Sequence, residues 1–217
     1  CIEAADINND GLEDFFMGGA KDQPSQIFLQ NANGTFTLKP EPAFLKDAAS
    51  EDVAAVFFDA DNDGDKDLYV AAGGYEFNDN DPALQNRLYL NDSNGNFTKK
   101  EKALPQLLTS KGCVKAADID GDGDMDLFIG GRMIPGNYPY PTGSYILQNN
   151  NKVIIASKQA VSNLLSGTWL QLHIVYSNVT NESMKINSPI IIQKSKVLPV
   201  LEEIENQARD ENKIGRA

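Results

Sequence analysis

The chain has few of the residues that build disulfide networks or membrane helices. Two cysteines in 217 residues exclude a disulfide-dense scaffold, because such scaffolds need several cysteine pairs. No apolar run approaches the roughly 18 residues that cross a membrane as a helix, so no membrane span is expected. Hydrophobic residues make up 41% of the chain and aromatic residues 8%, as in an ordinary globular protein. Disorder is therefore not expected.

Basic residues are outnumbered by acidic ones. The net charge of -12 and the pI near 4.5 argue against a nucleic-acid partner, which would require a clustered basic face. The acidic residues are concentrated: the nine-residue windows that begin at Asp6, Asp59 and Asp118 hold 4, 5 and 5 of the 31 in the chain. A merely solvated surface spreads its charges, so this clustering favours cation binding.

The two cysteines occupy matching sequence contexts. Residues 1–8 align without a gap on residues 113–120, and this alignment places Cys1 opposite Cys113. We predict that both occupy the same buried strand position in two repeats. A single disulfide and a lipid-modified Cys1 are the alternatives. Because the chain begins inside a repeat, we expect any signal peptide to lie upstream.

An acidic loop repeats three times along the chain. The loops begin at Asp6, Asp59 and Asp118, so the period is 53 and then 59 residues. Apolar runs precede the second and third loops, at residues 54–58 and 114–117, and further runs follow all three, at 15–19, 68–74 and 127–131. Short runs bounded by glycine and aspartate predict buried strands rather than helices.

A second shared block follows each loop and its strand. It spans residues 26–31, 86–91 and 144–149, and it aligns Asn31 with Asn91 and Asn149. In the first two repeats it leads to the Asn-Gly pairs at residues 33–34 and 94–95, which favour a tight hairpin because both residues tolerate positive φ. Each repeat thus holds about four short strands, the content of a β-propeller blade. The predicted fold is all-β, a β-propeller fragment of about three to four four-stranded blades.

The repeats define the predicted domain organisation. Three repeats occupy residues 1–150, at about 1–50, 51–110 and 111–150. Continuing the period reaches Asn178, where the loop pattern lacks its first aspartate, its glycine and its last aspartate. We predict a degenerate fourth blade without metal at 151–200. Leu201, Ile204 and Ala208 stand at helical spacing, and they predict a short terminal helix at 201–217.

Oxygen-bearing side chains occupy loop positions 1, 3, 5 and 9. In a tightly curled loop, alternate residues point to one side, so these side chains converge on one point. Glycine at position 6 permits the sharp turn, and the main-chain carbonyl at position 7 would complete the shell while leaving its side chain free to vary. The predicted metal ligands are Asp6, Asn8, Asp10, Leu12 and Asp14 in the first loop, Asp59, Asp61, Asp63, Asp65 and Asp67 in the second, and Asp118, Asp120, Asp122, Asp124 and Asp126 in the third.

Calcium fits these ligands better than other metals. Crowded carboxylates repel one another unless a cation intervenes, and calcium accepts six to eight oxygens in flexible geometry, whereas magnesium prefers a strict octahedron. The loops contain no histidine or cysteine that would favour zinc. An EF-hand requires glutamate at position 12, but Met17, Val70 and Ile129 stand there. We therefore predict about three Ca²⁺ sites of another type.

These loops, the small residues after them and the third-strand blocks resemble the FG-GAP and VCBS repeats, the calcium-loop propeller repeats also found in integrin α-subunits. Residues 130–141, followed by 144–147, further resemble bacterial VCBS-repeat proteins that often carry an ASPIC/UnbV domain. The resemblance covers residues 1 to about 150. It implies a full-length propeller of seven blades, an exported or surface location, and binding rather than catalysis.

Two functions follow as hypotheses. The first is a calcium-stabilised extracellular, periplasmic or cell-surface module that binds a protein or glycan. The Tyr-Pro-Tyr-Pro stretch at residues 138–141 is a candidate contact, unless it packs on its own blade. Arg132 could contact a ligand, but we prefer a blade-to-blade ion pair.

The second hypothesis is the scaffold of a secreted polysaccharide-active enzyme. His173 is the only histidine, and its apolar neighbours favour an ordinary strand residue over a general base. Neither a Gly-x-Ser-x-Gly elbow nor a glycine-rich phosphate loop is present in the sequence. We therefore expect that the protein is not an enzyme.

Overall fold

The protein is built from three four-stranded antiparallel sheets. A computed structural model describes residues 1–138, 140 and 142–149 and the backbone of 154–158. The prediction of an all-β fold is confirmed, since the described helices are only α1 (Pro42–Leu45) and a 3-10 turn (Pro82–Leu84). The strands are β1 (Ile2–Ala5), β2 (Asp14–Met17), β3 (Gln26–Gln30), β4 (Phe36–Lys39), β5 (Glu51–Phe58), β6 (Asp67–Gly73), β7 (Arg87–Leu90), β8 (Thr98–Lys99), β9 (Ser110–Ala117), β10 (Asp126–Met133), β11 (Tyr145–Asn149) and β12 (Ile154–Lys158).

Each sheet is a simple meander in which consecutive strands are neighbours. We call them blade 1 (β1–β4), blade 2 (β5–β8) and blade 3 (β9–β12). The third blade takes its last strand from β12, which pairs with β11, so this blade extends past residue 150, where the sequence placed its end. The rest of the predicted fourth blade (151–200) and the predicted helix (201–217) lie outside the described residues.

Each blade has two faces, because successive residues of a strand point to opposite sides. Face A carries Phe15, Leu68 and Leu127 in blades 1, 2 and 3, and face B carries the next residue, Phe16, Tyr69 and Phe128. The second strand β6 lies between a first and a third strand, and blades 1 and 3 pack on its two faces. As a result, every residue of β6 is buried.

The hydrophobic core lies between the sheets rather than inside any one of them. Face B of blade 1 packs on face A of blade 2 in a cluster that contains Ile7, Phe16, Ile27, Phe44, Leu68, Val70, Tyr89 and Phe97. Face B of blade 2 packs on face A of blade 3 in a cluster that contains Phe58, Tyr69, Leu88, Val114, Leu127, Ile129 and Leu147. Each such side chain stabilises the fold by about 1.5–3 kcal/mol when fully buried. Neighbouring blades therefore depend on each other for stability.

The prediction for the cysteines is correct about position and wrong about burial. Cys113 pairs with Gly130, and the carbonyl of Cys1 accepts a hydrogen bond from the amide of Gly18, the equivalent glycine. However, Cys1 is exposed and Cys113 is half-buried, and neither is in a disulfide. The physical reason is that their sulfur atoms lie above the glycines, where a Cβ would collide with them, rather than inside an interblade core. A disulfide between them is not formed.

The hairpin between the third and fourth strands occurs where the Asn-Gly pairs predict it, with a different backbone. Gly34 and Gly95 have positive φ of 79° and 74°, whereas Asn33 and Asn94 do not. Instead, Asn33 accepts the amide of Thr35 through its side chain at 3.0 Å. Only the glycine of each pair thus needs the left-handed region, as in longer hairpin loops.

Strand pairing corrects the sequence alignment of the third strands by one residue. Phe15 pairs with Phe28 in blade 1, and the equivalent Leu68 pairs with Tyr89 in blade 2. This register makes Gln30, and not Asn31, the counterpart of Asn91. The hydrogen bonds of the acidic loops enforce it, as described below.

A buried ion pair within blade 2 is hydrogen-bonded to blade 1 through its carboxylate. The guanidinium of Arg87 donates to the carboxylate of Asp52, and the two side chains are only 3% and 2% exposed. The same carboxylate accepts the amide of Gly19 in blade 1 at 2.9 Å and the hydroxyl of Ser25. Buried charges need this degree of satisfaction, because desolvation is otherwise costly. Arg132 is exposed and forms no ion pair within the described part of the chain, so the ion pair preferred for it is not found.

Candidate metal centre

The three acidic loops join the first strand to the second in every blade. They connect β1 to β2, β5 to β6 and β9 to β10, and all three therefore lie at the same end of the sheets. Position 12 of each loop falls inside the following strand, at Met17, Val70 and Ile129. Strands flank these loops where an EF-hand has helices.

Position 1 of each loop shapes the turn through its carboxylate. The amides of Gly11, Gly64 and Gly123 donate to Asp6, Asp59 and Asp118 at 2.8, 2.9 and 3.3 Å. The same glycines have φ of +82°, +94° and +97°, a region that L side chains rarely adopt. Glycine at position 6 is thus required by the backbone, as the sequence pattern predicts.

The carboxylate at position 5 stabilises the second half of the loop by accepting hydrogen bonds from the backbone. The amides of Leu12, Asp65 and Asp124 donate to the carboxylates of Asp10, Asp63 and Asp122 at 2.8, 3.1 and 2.9 Å. These short local bonds are typical of aspartate in turns. The loop is therefore folded by its own acidic side chains, which draw together in spite of their like charge.

Three carboxylates converge in the second loop and three in the third. Oxygens of Asp59, Asp61 and Asp67 lie within 4.8 Å of one another, as do those of Asp118, Asp120 and Asp126. These are positions 1, 3 and 9. The position-5 carboxylates, Asp63 and Asp122, do not belong to these groups. The first loop forms no such group within the described residues, because Asn8 replaces the carboxylate at position 3 and donates instead to Asp10 at 3.1 Å.

Position 9 has a structural role that the sequence did not indicate. Asp67 accepts the amide of Ala60 at its own loop and the amide of Asn91 at the end of the third strand, both at 2.8 Å. Asp14 and Asp126 make the same two kinds of bond, to residues 7 and 30 and to residues 119 and 149. This carboxylate therefore fastens the loop to the third strand and sets the register. Each oxygen has a second lone pair that remains able to bind a cation.

The position-9 carboxylates are buried, and burial dominates their electrostatics. Desolvation, with smaller contributions from Asp65 and Asp61, raises the pKa of Asp67 to about 7. Desolvation and the nearby Asp120 and Asp122 raise the pKa of Asp126 to about 6. The pKa of Asp14 is raised as well, again mainly by burial. A cation in these loops would restore the ionised form by supplying opposite charge.

Position 7 differs between the loops. Asp65 and Asp124 are 2% and 6% exposed, so their side chains are not free to vary as predicted from backbone ligation alone. Asp65 accepts the hydroxyl of Ser93 at 3.0 Å, and Asp124 accepts the side-chain amide of Asn62 in blade 2 at 2.5 Å. Leu12, at position 7 of the first loop, is half-buried. Side chains at this position therefore add contacts between strands and blades.

The donor set suits calcium. Oδ1 of Asp61 and Oδ1 of Asp65 are buried oxygens without a hydrogen-bond partner, and an unsatisfied buried acceptor costs about 1–3 kcal/mol. Clustered carboxylates with an unsatisfied oxygen match the hard, oxygen-preferring chemistry of Ca²⁺. Asp59, Asp61 and Asp67 could hold the ion in the second loop, and Asp118, Asp120 and Asp126 in the third.

Asparagine side chains link each loop to the next blade. Asn91 in blade 2 donates to the carbonyl of Ile7 in the first loop at 2.8 Å. Asn149 in blade 3 donates equivalently to the carbonyl of Ala60 in the second loop, also at 2.8 Å. Both side chains are buried. The recurring asparagine after the third strand was visible in the sequence, but its partner in the preceding blade was not.

The opposite end of the blades carries exposed tyrosines. The connections from the second to the third strand lie at this end, because antiparallel strands reverse direction at each turn. Tyr75 is 53% exposed in blade 2, and Tyr138 and Tyr140 are 73% and 66% exposed in blade 3. The interpretation that the Tyr-Pro loop packs on its own blade therefore does not hold for these two rings.

The sequence of the chain matches a known repeat. The model of the FG-GAP-like repeat matches twice, over residues 6–70 and 59–129, so that each match begins at the first aspartate of a loop and includes the following loop. Together the two matches cover more than half of the 217 residues. A comparison with curated proteins finds no match. In the described residues, no helix has the length and apolar character needed to cross a membrane. The chain belongs to the FG-GAP-like repeat family.

Proposed function

We propose that the protein is a calcium-binding propeller module that binds a protein or glycan outside the cytoplasm, with about three Ca²⁺ ions that stabilise its blades. The observation that carries the calcium part is the convergence of Asp59, Asp61 and Asp67, and of Asp118, Asp120 and Asp126, within 4.8 Å. The loop backbones are already folded by their own hydrogen bonds. Binding therefore requires little reordering, which favours affinity.

In this proposal, one end of the blades binds calcium and the other end contacts the ligand. The acidic loops contact the next blade through Asn91 and Asn149, so calcium there would rigidify the joints between blades. The tyrosine-bearing connections at the other end would form the contact surface. Tyrosine is well suited to such a surface, because its ring offers a large contact area and its hydroxyl offers a hydrogen bond.

The contact surface can be tested on glycan and protein arrays. The chain in millimolar calcium is expected to bind a ligand, and the triple substitution Tyr75→Ala, Tyr138→Ala and Tyr140→Ala is expected to abolish that signal. Phe36→Ala is the matched control, since Phe36 is an exposed aromatic, 47% accessible, that lies in β4 of blade 1. Unchanged binding by the triple variant would refute the tyrosine surface. A loss of signal in both variants would point to general unfolding.

The location follows from the same proposal. Millimolar calcium is available outside cells, and extracellular modules bind it with dissociation constants of roughly 0.1–1 mM. The resemblance of residues 130–147 to VCBS-repeat proteins with an ASPIC/UnbV domain agrees with export, to the periplasm, the surface or the medium. The enzyme alternative names no catalytic residue, and His173, the histidine considered for it, lies outside the described residues. We therefore propose a binding protein rather than an enzyme.

A further inference from the structure

A cleft of about 260 Å³ lies at the β8 edge of blade 2. Its walls are the start of β7, the end of β8 and the connection that leads to β9, and they include Arg87, Lys99, Lys100 and Lys102. Blades 1 and 3 already cover the two faces of blade 2, so the cleft is not a sheet face that another blade would cover. Pockets for drug-sized ligands have roughly 300–1,000 Å³, so this cleft suits a smaller group, such as a single sugar residue.

The cleft lies toward the end of the blades that carries the exposed tyrosines. β7 begins at Arg87 and runs toward the acidic loops, whereas β8 runs in the opposite direction. The end of β8 therefore lies beside the start of β7, where the amide of Lys100 donates to the carbonyl of Leu88 at 2.9 Å. Tyr75 belongs to the connection that leads into β7. One ligand could thus contact both the tyrosine and the cleft.

The basic residues of the cleft are not all neutralised. Arg87 and Lys99 are each paired with an aspartate. Lys100 and Lys102 are exposed and form no ion pair within the part of the chain that the structure describes. Of the four basic residues in the walls, two are offset by these aspartates and one by Glu101. The cleft therefore keeps one positive charge, in a chain whose net charge is -12.

Blade 1 carries a neutral pair at the equivalent positions. The pairing registers of the third and fourth strands make Lys100 and Lys102 the counterparts of Lys39 and Glu41. Lys39 and Glu41 form an ion pair at 3.6 Å, and Glu41 also accepts the amide of Phe97 at 3.0 Å. In blade 2 a lysine replaces this glutamate, so two like charges stand two residues apart. They repel each other unless an anion lies between them.

The backbone of Lys102 is unusual for a residue with a long side chain. Its φ is +62°, and the other described non-glycine residues with positive φ are asparagine, aspartate or serine. Such short polar residues visit this region more readily than lysine does. Residues held in sparsely populated backbone conformations cluster at ligand sites. The turn therefore places a lysine on the wall of the cleft at some cost in backbone energy.

The other groups in the walls suit a sugar ring. Leu104 is a half-buried apolar residue, and Gln106 is an exposed amide that can both donate and accept hydrogen bonds. The Nε of Arg87 is buried without a hydrogen-bond partner among the described residues, and such a donor is costly unless an acceptor is supplied. A sugar offers hydroxyl groups and a face of C–H groups, whereas an acidic peptide side chain offers only its carboxylate. The walls therefore favour a sugar.

We propose that this cleft is a subsite for an acidic sugar residue, one that carries a carboxylate or a sulfate group. The anion lies at Lys100 and Lys102, the hydroxyl groups at Gln106 and the apolar face of the ring at Leu104. This inference rests on the proposed function, because it assigns the cleft to the ligand of the tyrosine-bearing end. It narrows that ligand from a protein or glycan to an anionic glycan.

Matched oligosaccharides test the charge requirement. The probes are uronate oligosaccharides and sulfated galactan oligosaccharides, each beside a neutral form made by reducing the carboxylates or removing the sulfates, in constant millimolar calcium. We expect the 217-residue chain to bind at least one charged form about tenfold more tightly than its neutral form, because hydrogen bonds to charged groups are stronger. Equal affinity for both forms would overturn the inference and leave the proposed function intact. Binding of neither form would overturn it as well, and blank protein arrays in addition would overturn the proposed function.

A substitution tests the two lysines. Lys102→Glu restores the Lys-Glu pattern of blade 1 and is expected to remove the preference for the charged form. Lys46→Glu is the matched control, because Lys46 is an exposed lysine directly after α1, and it is expected to keep the preference. Lys100→Gln is the milder variant, expected to reduce the preference in part, and melting temperatures show that all three variants fold.

The same variants separate the alternatives. A preference that survives both Lys102→Glu and Lys100→Gln, or that Lys46→Glu removes equally, would overturn the assignment of the cleft. A hexaglutamate peptide that binds as tightly as the charged sugars, and is released by Lys102→Glu, would assign the cleft to an acidic protein segment. That result would also overturn the proposal.

Discussion

Lys111 is a fully buried lysine in the joint between blades 2 and 3. Its ammonium group donates to the carbonyl of Leu84 at 2.6 Å and to the carbonyl of Leu107. Lys111 is the counterpart of Asp52, which lies in the joint between blades 1 and 2. Asp52 stands two residues before the partner of Ala71, and Lys111 stands two residues before the partner of Gly130, the residue equivalent to Ala71. Burial, together with the positive charge of Arg87, lowers the pKa of Lys111 to about 7. Two neutral carbonyl acceptors do not compensate a full charge.

This lysine predicts a pH dependence of stability. Because the pKa is lower in the folded than in the unfolded state, unfolding takes up a proton between pH 7 and about 10, and stability rises with pH in that window. We expect the free energy of unfolding of the natural chain to increase relative to that of Lys111→Met between pH 7 and 9. The slope is at most about 1.4 kcal/mol per pH unit. Urea unfolding of both chains in constant calcium measures it, and parallel pH profiles would contradict the assignment.

Asn91 predicts a residue-scale effect on the interblade joint. Asn91→Asp keeps the shape of the side chain but replaces the donor to the carbonyl of Ile7 with a carboxylate oxygen. We expect a loss of about 1–3 kcal/mol, since a buried acceptor is left unpaired. Gln30→Glu is the control, because Gln30 is the counterpart of Asn91 in blade 1, and no blade that precedes blade 1 is described. Urea denaturation of the two variants should separate them, and equal losses would rule out the interblade bond as the cause.

At the scale of elements, the sequence predicted the strands and loops well and the joints between them poorly. The second strands follow from short apolar runs bounded by glycine and aspartate, and β2, β6 and β10 lie where those runs are. The short β8, with only Thr98 and Lys99, has no such pattern. The sequence alignment of the third strand was wrong by one residue in blade 1. Asn31 was aligned with Asn91 because both are asparagine, but Gln30 is the residue whose amide donates to the position-9 aspartate, Asp14, as that of Asn91 does to Asp67. Pairing across strands is a long-range property that local similarity does not determine.

The candidate site shows the same division. Positions 1, 3, 5 and 6 act within the loop, so their spacing in the sequence is enough to predict their roles. Position 9 acts between strands, and position 7 acts through Ser93 and Asn62, which lie 28 and 62 residues away. The sequence therefore predicted the convergence of positions 1, 3 and 9 in the second and third loops, and it missed the second function of Asp67 and Asp65. Whether these oxygens bind calcium remains a prediction.

The loops predict unequal calcium affinities. The second and third loops have carboxylates at positions 1, 3, 5 and 9, whereas the first has Asn8 at position 3. Since affinity in oxygen sites rises with the number of charged ligands, calorimetry should resolve one site that is weaker than the other two. Asn8→Asp is expected to strengthen that site about tenfold, and Asp61→Asn to weaken one of the others. Identical titrations of the natural chain and Asn8→Asp would argue against calcium in the first loop.

For the molecule as a whole, stability is shared between blades, because the hydrophobic clusters join neighbouring sheets. The loops that bind the next blade through Asn91 and Asn149 are the same loops that would bind calcium. Occupying them is therefore expected to stabilise the three blades together and to shift a single unfolding transition. Partial chelation should lower that transition without splitting it.

The size of the effect follows from mass action. Calcium at ten times its dissociation constant contributes about 1.4 kcal/mol per site, so three sites contribute roughly 4 kcal/mol, a large share of the 5–15 kcal/mol typical of a domain. At roughly 2–4 °C per kcal/mol for a domain of this size, calcium is expected to raise the melting temperature by about 8–16 °C over excess chelator. Magnesium at the same concentration is the control and should give a much smaller shift, because it prefers a strict octahedron. Equal melting temperatures in calcium and in chelator would show that the acidic loops fold and hold the blades without a metal, since their own hydrogen bonds would then suffice.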